Sequence, residues 1–309
     1  MDTQKQHQNG ESRSRLAVII VSWNVCEDLK TCLGSIFENN PGEDYQVIVI
    51  DNNSTDGSVQ MVQEQFPQVT LIENETNAGF AAANNQGLRY ADTEYYLLLN
   101  PDTIVPEGAF RMLLDFAEQH PEAGAVGPRQ VYPDGTLQYS CRRFPTITAA
   151  MFRHTIFGRL FPRAASPQWY LMADWDHAEP REVDWVSGAA MLIRHEALED
   201  VGYLDESFFW GSEDVDYCFR MHKAGWNVMY TPEPVIIHAI GKSTDQVVIP
   251  TIIRTHRGMH RLYSKHLATN PLSRALVTVG VWVRAGLLII SHRLRSAWTA
   301  IRRMLRPKK

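Results

Sequence analysis

Three stretches decide the fold: L-A-V-I-I-V-S at 16–22, Q-V-I-V-I-D at 46–51 and E-Y-Y-L-L-L-N at 94–100. Each is a continuous apolar, largely β-branched or aromatic run, the pattern of a strand buried on both faces. A shorter run, V-T-L-I-E at 69–73, falls between the last two. Helical segments separate them. Asn24 followed by Glu27 resembles a capping box and opens a helix through about Phe37. Asp56 is placed to cap V-Q-M-V-Q-E-Q-F, and N-A-G-F-A-A-A-N-N-Q-G-L reads as a small-residue helix. Buried strands alternating with helices predict an α/β fold with a mostly parallel, doubly wound sheet and helices on both faces. Ligands of such sheets sit at the carboxyl ends of the strands. Ser22, Asp51, Asn74 to Asn77 and Asn100 to Asp102 all fall at those ends.

Outward from this core the pattern loosens past residue 105. Pro133-Asp134-Gly135 predicts a hairpin turn. Residues 140–182 are irregular and aromatic, as a binding loop is. Regularity returns with a strand at A-A-M-L-I-R (189–194), a helix from about Glu213 to Ala224 and a strand at V-I-I-H (235–238). The expected organisation is a disordered polar tail (1–14), one α/β domain (15–245) divided near 105, and a helical extension (246–309).

The net charge of −5 hides an asymmetry. Residues 246–309 carry 13 of the 30 Lys and Arg and no acid, so the preceding 245 hold 17 basic against all 35 acidic residues. Within that extension, A-L-V-T-V-G-V-W-V-R-A-G-L-L-I-I (275–290) is apolar but for Arg284, and Arg and Lys follow it to the end. A spanning helix takes about 20 residues, so an amphipathic helix lying in the plane of an anionic membrane surface is expected. A buried C-terminal helix with a solvated basic end is the other reading. Residues 1–15 show no signal-peptide pattern and the four cysteines no C-x-x-C spacing, which predicts reduced thiols in a cytoplasmic protein. Nothing in the pattern points to nucleic acid.

Four constellations carry candidate chemistry. Asp102, in Asn100-Pro101-Asp102 after the third quoted stretch, is a hard oxygen ligand at a strand end, suited to a divalent cation (Mg²⁺ or Mn²⁺). Alone it is also an ordinary turn. Glu213, Asp214 and Asp216 open a helix after the aromatic F-F-W-G-S, and three carboxylates exceed what a cap needs. His238 ends a strand, followed by Gly241, Lys242 and Ser243, a sequence suited to a loop near phosphate. Asp51 is placed to accept the N3–H of a pyrimidine base, while Asn52 to Asp56 also satisfy a plain Asx turn.

Together, V-I-I-V-S-W-N, V-I-V-I-D-N-N-S-T-D-G-S, N-A-G-F-A-A-A-N-N-Q-G, L-L-L-N-P-D, S-G-A-A-M-L-I-R and S-E-D-V-D-Y-C-F-R-M-H-K-A-G-W resemble glycosyltransferase family 2. The likeness is to its rhamnosyltransferase-like branch, which builds O-antigen and other surface polysaccharides. It implies a GT-A fold and an inverting single displacement. The donor is a dTDP- or UDP-linked sugar, L-rhamnose by default, and the acceptor a polyprenyl diphosphate-linked saccharide. By resemblance Ser22, Trp23, Asn24, Asp51 and Asn53 lie at the base, and Asn77, Gly79 and Asn84 at the nucleoside. Asn100 and Lys242 lie near the phosphates. Asp102 and His238 are metal ligands, and Asp214 is the catalytic base with Glu213 beside it. Trp185, Ser187, Gly188 and Trp210 border sugar and acceptor. Arg254, Arg257, Arg261 and Lys265 face an acceptor diphosphate or headgroups, or simply solvate a helix.

Asn100 departs from the family's D-x-D and leaves one carboxylate fewer. That substitution is the one support for a degenerate, partner-binding scaffold. A nucleotidyltransferase or a dinucleotide oxidoreductase needs a Gly-rich loop where W-N-V-C-E-D-L stands. A processive synthase needs several apolar spans. A homo-oligomer through the C-terminal segment stays open.

Overall fold

The computed structural model describes residues 14–39, 44–145, 167–239, 248–268 and 270–305. The expected polar tail up to residue 13, Lys242 and the middle of the aromatic stretch lie outside them, while Ser14, the last residue assigned to that tail, begins the first strand. Strands β1 (Ser14–Ser22), β2 (Tyr45–Asp51), β3 (Thr70–Glu73) and β4 (Thr93–Leu99) coincide closely with the apolar runs. They alternate with α1 (Cys26–Asn39), α2 (Ser58–Gln65) and α3 (Phe80–Tyr90). The four strands pair in parallel in the order β3-β2-β1-β4, with Ser22 beside Asp51 and Ile20 beside Leu99. The loops after β1, β2 and β4 therefore leave by one edge. Successive side chains enter opposite cores: Ala17, Ile19, Ile48 and Leu98 on one face, Val18, Ile20, Val49 and Leu97 on the other.

Three further strands widen the sheet: β6 (Ala123–Val131), β11 (Ala190–Arg194) and β12 (Asn227–His238). The order continues β4-β11-β6-β12 and closes on the short β5 (Thr103–Ile104). β11 is antiparallel to β4 and β6, whereas β12 is parallel to β6, so the sheet is mixed and mostly parallel. Because β11 runs backwards, its amino end reaches the edge where β4 and β12 finish. There the Asn100 N–H donates to the Ala189 carbonyl (2.9 Å), and His238 pairs with Thr103 of β5. The expected hairpin follows β6: β7 (Leu137–Gln138) pairs back on it around Pro133-Asp134-Gly135. The two-residue strands β8 (Cys141–Arg142) and β10 (Trp185–Val186) pair with each other, and β9 (Arg181–Glu182) with β12.

Helices α4 (Ala109–Gln119), α5 (Pro167–Tyr170), α6 (His195–Val201) and α7 (Glu213–Ala224) complete this part, α7 within the predicted bounds. The start of α1 corrects the capping box. The Cys26 N–H is capped by Asp56 Oδ2 (2.8 Å), whose Oδ1 accepts from Ser58 N at the start of α2 (3.1 Å). Asn24 instead sits at φ 53° and accepts the Thr55 N–H (2.8 Å), tying two loops together.

Two helices follow, α8 (Val248–Leu262), which runs into a wide turn at Tyr263–Leu267, and α9 (Pro271–Leu305). They pack on each other through Val277 and Ala285, with His260 Nε2 2.9 Å from Thr278 Oγ1. The apolar part of α9 exceeds the run read from sequence: Pro271–Leu294 is 24 residues long and holds an 18-residue stretch of mean hydropathy 1.7, long and apolar enough to cross a membrane. Its outer face is bare, which sets aside the buried-helix reading: Leu272, Leu276, Val279, Val283, Leu287, Ile290 and Leu294 are all exposed.

Candidate active site

At the convergent strand edge lies a cleft of about 490 Å³. Its walls come from the end of β1 and the loop after it (Val21, Trp23), the turn after β4 (Asn100, Pro101, Asp102), the segment before β11 (Ser187, Gly188, Ala189) and the start of α7 (Glu213, Asp214). His238 closes one end and Trp210 another.

His238 is positioned by β12 and oriented by its partners. Its Nδ1 donates to Gln138 Oε1 (2.8 Å), and the Gln138 amide in turn donates to the His238 carbonyl (3.4 Å). This reciprocal pair fixes the amide and directs Nε2 at Asp102 Oδ1, 3.2 Å away. Asn100 Nδ2 stands 3.3 Å from the same Nε2. With Nδ1 committed to Gln138, a neutral imidazole turns its Nε2 lone pair toward the Asn100 amide and the Asp102 carboxylate, a pairing that could hold a cation. The donor set, one hard oxygen and one imidazole nitrogen, suits a divalent ion completed by substrate oxygens and water. Among the described residues no group of three or more His, Cys, Asp or Glu gathers for a metal, so the substrate would supply part of the shell.

The adjacent acids of α7 are set differently. Glu213 is buried, its Oε2 has no partner, and burial followed by the neighbouring Asp214 charge pushes its carboxyl up to about 8. Burial also raises Asp214, but the Gly188 N–H (3.2 Å to Oδ2), the Val215 N–H (2.8 Å to Oδ1) and the Arg142 charge oppose it. One edge of Asp214 stays open to the cleft while protein surrounds the rest. Within the pair, Asp214 has the groups that favour its ionised form, and Glu213 carries the stronger upward push. The third acid is not in the cleft. Asp216 is fully buried, bound by Arg220 (3.0 Å), Lys265 (2.8 Å) and His266 (2.7 Å). Lys265 also pairs with Asp205 (2.7 Å), which corrects its reading as a headgroup contact.

Of the residues expected at the nucleotide, Trp23, Asn77, Gly79 and Asn100 line the cleft. Asn77 Oδ1 accepts the Gly79 N–H (2.9 Å), and Gly79, at φ +87°, lies so close to Phe209 that a Cβ would meet its carbonyl at 2.7 Å. Ser22 and Asp51 are buried behind the lining, each with an unpartnered oxygen, Oγ and Oδ1 respectively. Asp51 Oδ2 accepts the Ser54 N–H (2.7 Å), which leaves Oδ1 as its unpartnered oxygen. Asn24, Asn53 and Asn84 do not line the cleft; Asn53 is exposed at φ 64°, and Asn84 donates to the Phe80 carbonyl (2.9 Å). Ser187, Gly188 and Trp210 are in place, but Trp185 is not: it lies buried with its indole N–H on the Arg143 carbonyl (3.0 Å) and backs the Arg142 guanidinium at 5.1 Å.

Sequence reasoning missed Gln138, Arg142, Tyr132 and Tyr139, which line the cleft from the β6–β8 region. The hairpin signal at Pro133-Asp134-Gly135 was the available clue, since a hairpin from a strand end returns its residues to the site. Arg254, expected to face an acceptor diphosphate or headgroups or to solvate a helix, also lines the cleft, with Thr251.

The profile described as "Glycosyl transferase family 2" matches residues 17–202. The chain is 34% identical over 212 residues to an N-acetylglucosaminyl-diphospho-decaprenol L-rhamnosyltransferase of Mycobacterium tuberculosis, covering 64% of this chain and 67% of that protein. It is 26% identical over 231 residues to the rhamnosyltransferase WbbL of Escherichia coli, covering 72% and 82%. Among solved structures, a mannosyltransferase from Pyrobaculum calidifontis, in complex with GDP-Man and Mn²⁺, superposes with a TM-score of 0.56 at 19% identity, covering 94% of this chain and 83% of that one.

Proposed function

The chain belongs to glycosyl transferase family 2, and from that premise we propose that it moves L-rhamnose from a dTDP- or UDP-linked donor to a polyprenyl diphosphate-linked saccharide, with inversion, in surface-polysaccharide assembly. The observation that carries this reading is the meeting of Asp214 with the Asp102–His238 pair in one cleft. Asp214 takes the proton from the acceptor hydroxyl as its oxygen forms the new bond to the anomeric carbon. The bond from that carbon to the diphosphate breaks on the opposite side, and the nucleoside diphosphate leaves. Asp102 and His238 would hold a divalent ion, Mg²⁺ or Mn²⁺, which when bound offsets the charge of the departing diphosphate. Asp51 Oδ1 takes the N3–H of a pyrimidine, the same group in thymine and uracil. Asn100 supplies an amide beside His238 rather than a further ligand charge.

The cytoplasmic face of a membrane is the proposed place of action. The bare apolar face of α9 supports it, together with the Arg and Lys residues that follow that face. The test of the reaction is a calorimetric panel of dTDP, UDP, GDP and CDP, each with and without Mn²⁺ or Mg²⁺. Metal-dependent binding of a pyrimidine diphosphate is the expected result. A folded protein that binds none of the four returns the chain to the scaffold reading.

A further inference from the structure

The cleft contains a cation that the reading above does not use. α8 contributes Thr251 and Arg254 to its wall. The Arg254 guanidinium lies 4.1 Å over the Phe209 ring, and among the described residues no carboxylate or hydrogen-bond acceptor is set against it. Arg220 and Lys265, by contrast, are both neutralised by Asp216. A guanidinium stacked on a ring keeps its plane fixed and its N–H edge open, the form that matches two oxygens of a phosphate.

Its place is continuous with the catalytic wall. The Phe209 carbonyl accepts the Phe80 N–H (2.9 Å), and Phe80 meets Trp210 edge-on at 6.2 Å. The Phe80 ring and Asp214 Cβ both lie within contact of the Gly188 backbone, at 3.4 and 3.6 Å from where its Cβ would stand. Nor is α8 loosely held. Gly258 packs so tightly on the Gly211 carbonyl that no Cβ fits, and Lys265 and His266 just beyond α8 grip Asp216 of α7. The same helix carries α9 on its other side.

We propose that Arg254 is an anion-binding residue of this cleft and takes a diphosphate group of a substrate. The inference rests on the transferase reading, in which both donor and acceptor carry that group. Arg254 enters the site from the extension beyond the sheet, so the residues that meet the membrane and the residue that meets the diphosphate belong to one helical pair.

The experiment uses the full chain as wild type, Arg254→Ala and Arg254→Lys. dTDP and UDP are titrated by calorimetry with Mn²⁺. Initial rates are then measured against a short-chain polyprenyl diphosphate-linked saccharide and against the octyl glycoside of the same saccharide. Removing a charged hydrogen-bond partner weakens the affected binding about tenfold or more, and Lys, with charge but no fork, lies between. A raised nucleotide Kd assigns Arg254 to the donor diphosphate. An unchanged Kd with a raised KM for the diphosphate-linked acceptor alone assigns it to the acceptor. Unchanged values in both arms, with a working wild type, overturn the proposal. A wild type that binds neither nucleotide and transfers no sugar overturns the transferase reading itself. Should Arg254→Ala fail to fold, Arg254→Lys and Arg254→Gln carry the same comparison.

Discussion

At Asp214, two backbone N–H groups and the field of Arg142 work against the burial that raises its carboxyl; at Glu213 the unpartnered Oε2 leaves burial in command. Asp214→Asn is therefore expected to lower turnover by about a thousandfold, within the usual range for a lost general base, while dTDP or UDP affinity holds. Normal turnover in that variant removes Asp214 from the role. Glu213 gives a separate pH signature. Its folded-state value of about 8 lies above the ordinary 4.5, so its contribution to stability is full below pH 4.5 and is lost as pH rises through 8. Gln cannot ionise. The Tm of Glu213→Gln, compared with wild type, should thus gain between about pH 5 and pH 9, and parallel Tm curves would refute the assignment. A third test falls on Gln138, which commits His238 Nδ1 and turns Nε2 toward Asp102. Gln138→Leu frees the ring, and Mn²⁺-dependent nucleotide binding by calorimetry should weaken about tenfold, as outer partners of metal ligands generally do.

At the scale of elements, Asp216 shows what the first turn of α7 does besides chemistry. Its carboxylate lies between Arg220 of its own helix and Lys265 and His266 after α8. Asp216→Ala leaves those cations without their anion, and a loss of about 3 kcal/mol in denaturant unfolding is expected; a change under about 0.5 kcal/mol would place the strength of that junction elsewhere. This division among three acids was not legible, because spacing along a helix says which face a residue takes but not what waits there. The strands β1 to β4 were legible because each is a continuous apolar run buried on both faces. β6 was not: Gly124, Gly127 and Pro128 dilute its pattern, and Gly127 is there because the Val186 side chain would meet a Cβ at 2.6 Å. α4 carried a readable signal in Phe110, Leu113, Leu114 and Ala117, spaced as one helical face. The antiparallel turn of β11 could not be read, since a buried strand looks alike in either direction, yet that turn is what brings Ser187 to Ala189 to the cleft. The motif residues at strand ends were legible through the edge they share. Gln138 and Arg142 were not, because their place depends on a hairpin and a two-residue strand.

For the whole molecule, charge and apolar surface act together. The chain up to Asp245 carries 17 basic and 35 acidic residues, so an anionic membrane repels that body as a whole. The extension carries 13 basic residues and no acid, and α9 bears its apolar stripe between Arg274 and a cluster that begins at Arg293. Arg284, the one Lys or Arg within that stretch, turns inward, with its guanidinium 3.4 Å from His256 Nε2 on α8, which leaves the outer stripe uncharged. Such a surface suits apolar burial combined with attraction to anionic headgroups at one end of an otherwise acidic protein, and in the proposed reading it would orient the cleft as well as anchor it. The full chain should sediment with vesicles containing phosphatidylglycerol and much less with pure phosphatidylcholine. A variant carrying Leu276→Glu, Val283→Glu and Leu287→Glu should remain in the supernatant, with dTDP or UDP binding retained because none of the three residues lines the cleft. Sedimentation velocity without lipid separates the remaining possibility. A stable dimer of the full chain that the triple variant abolishes would assign the stripe to a second copy of the protein, and the membrane would then have to be reached through the basic cluster alone.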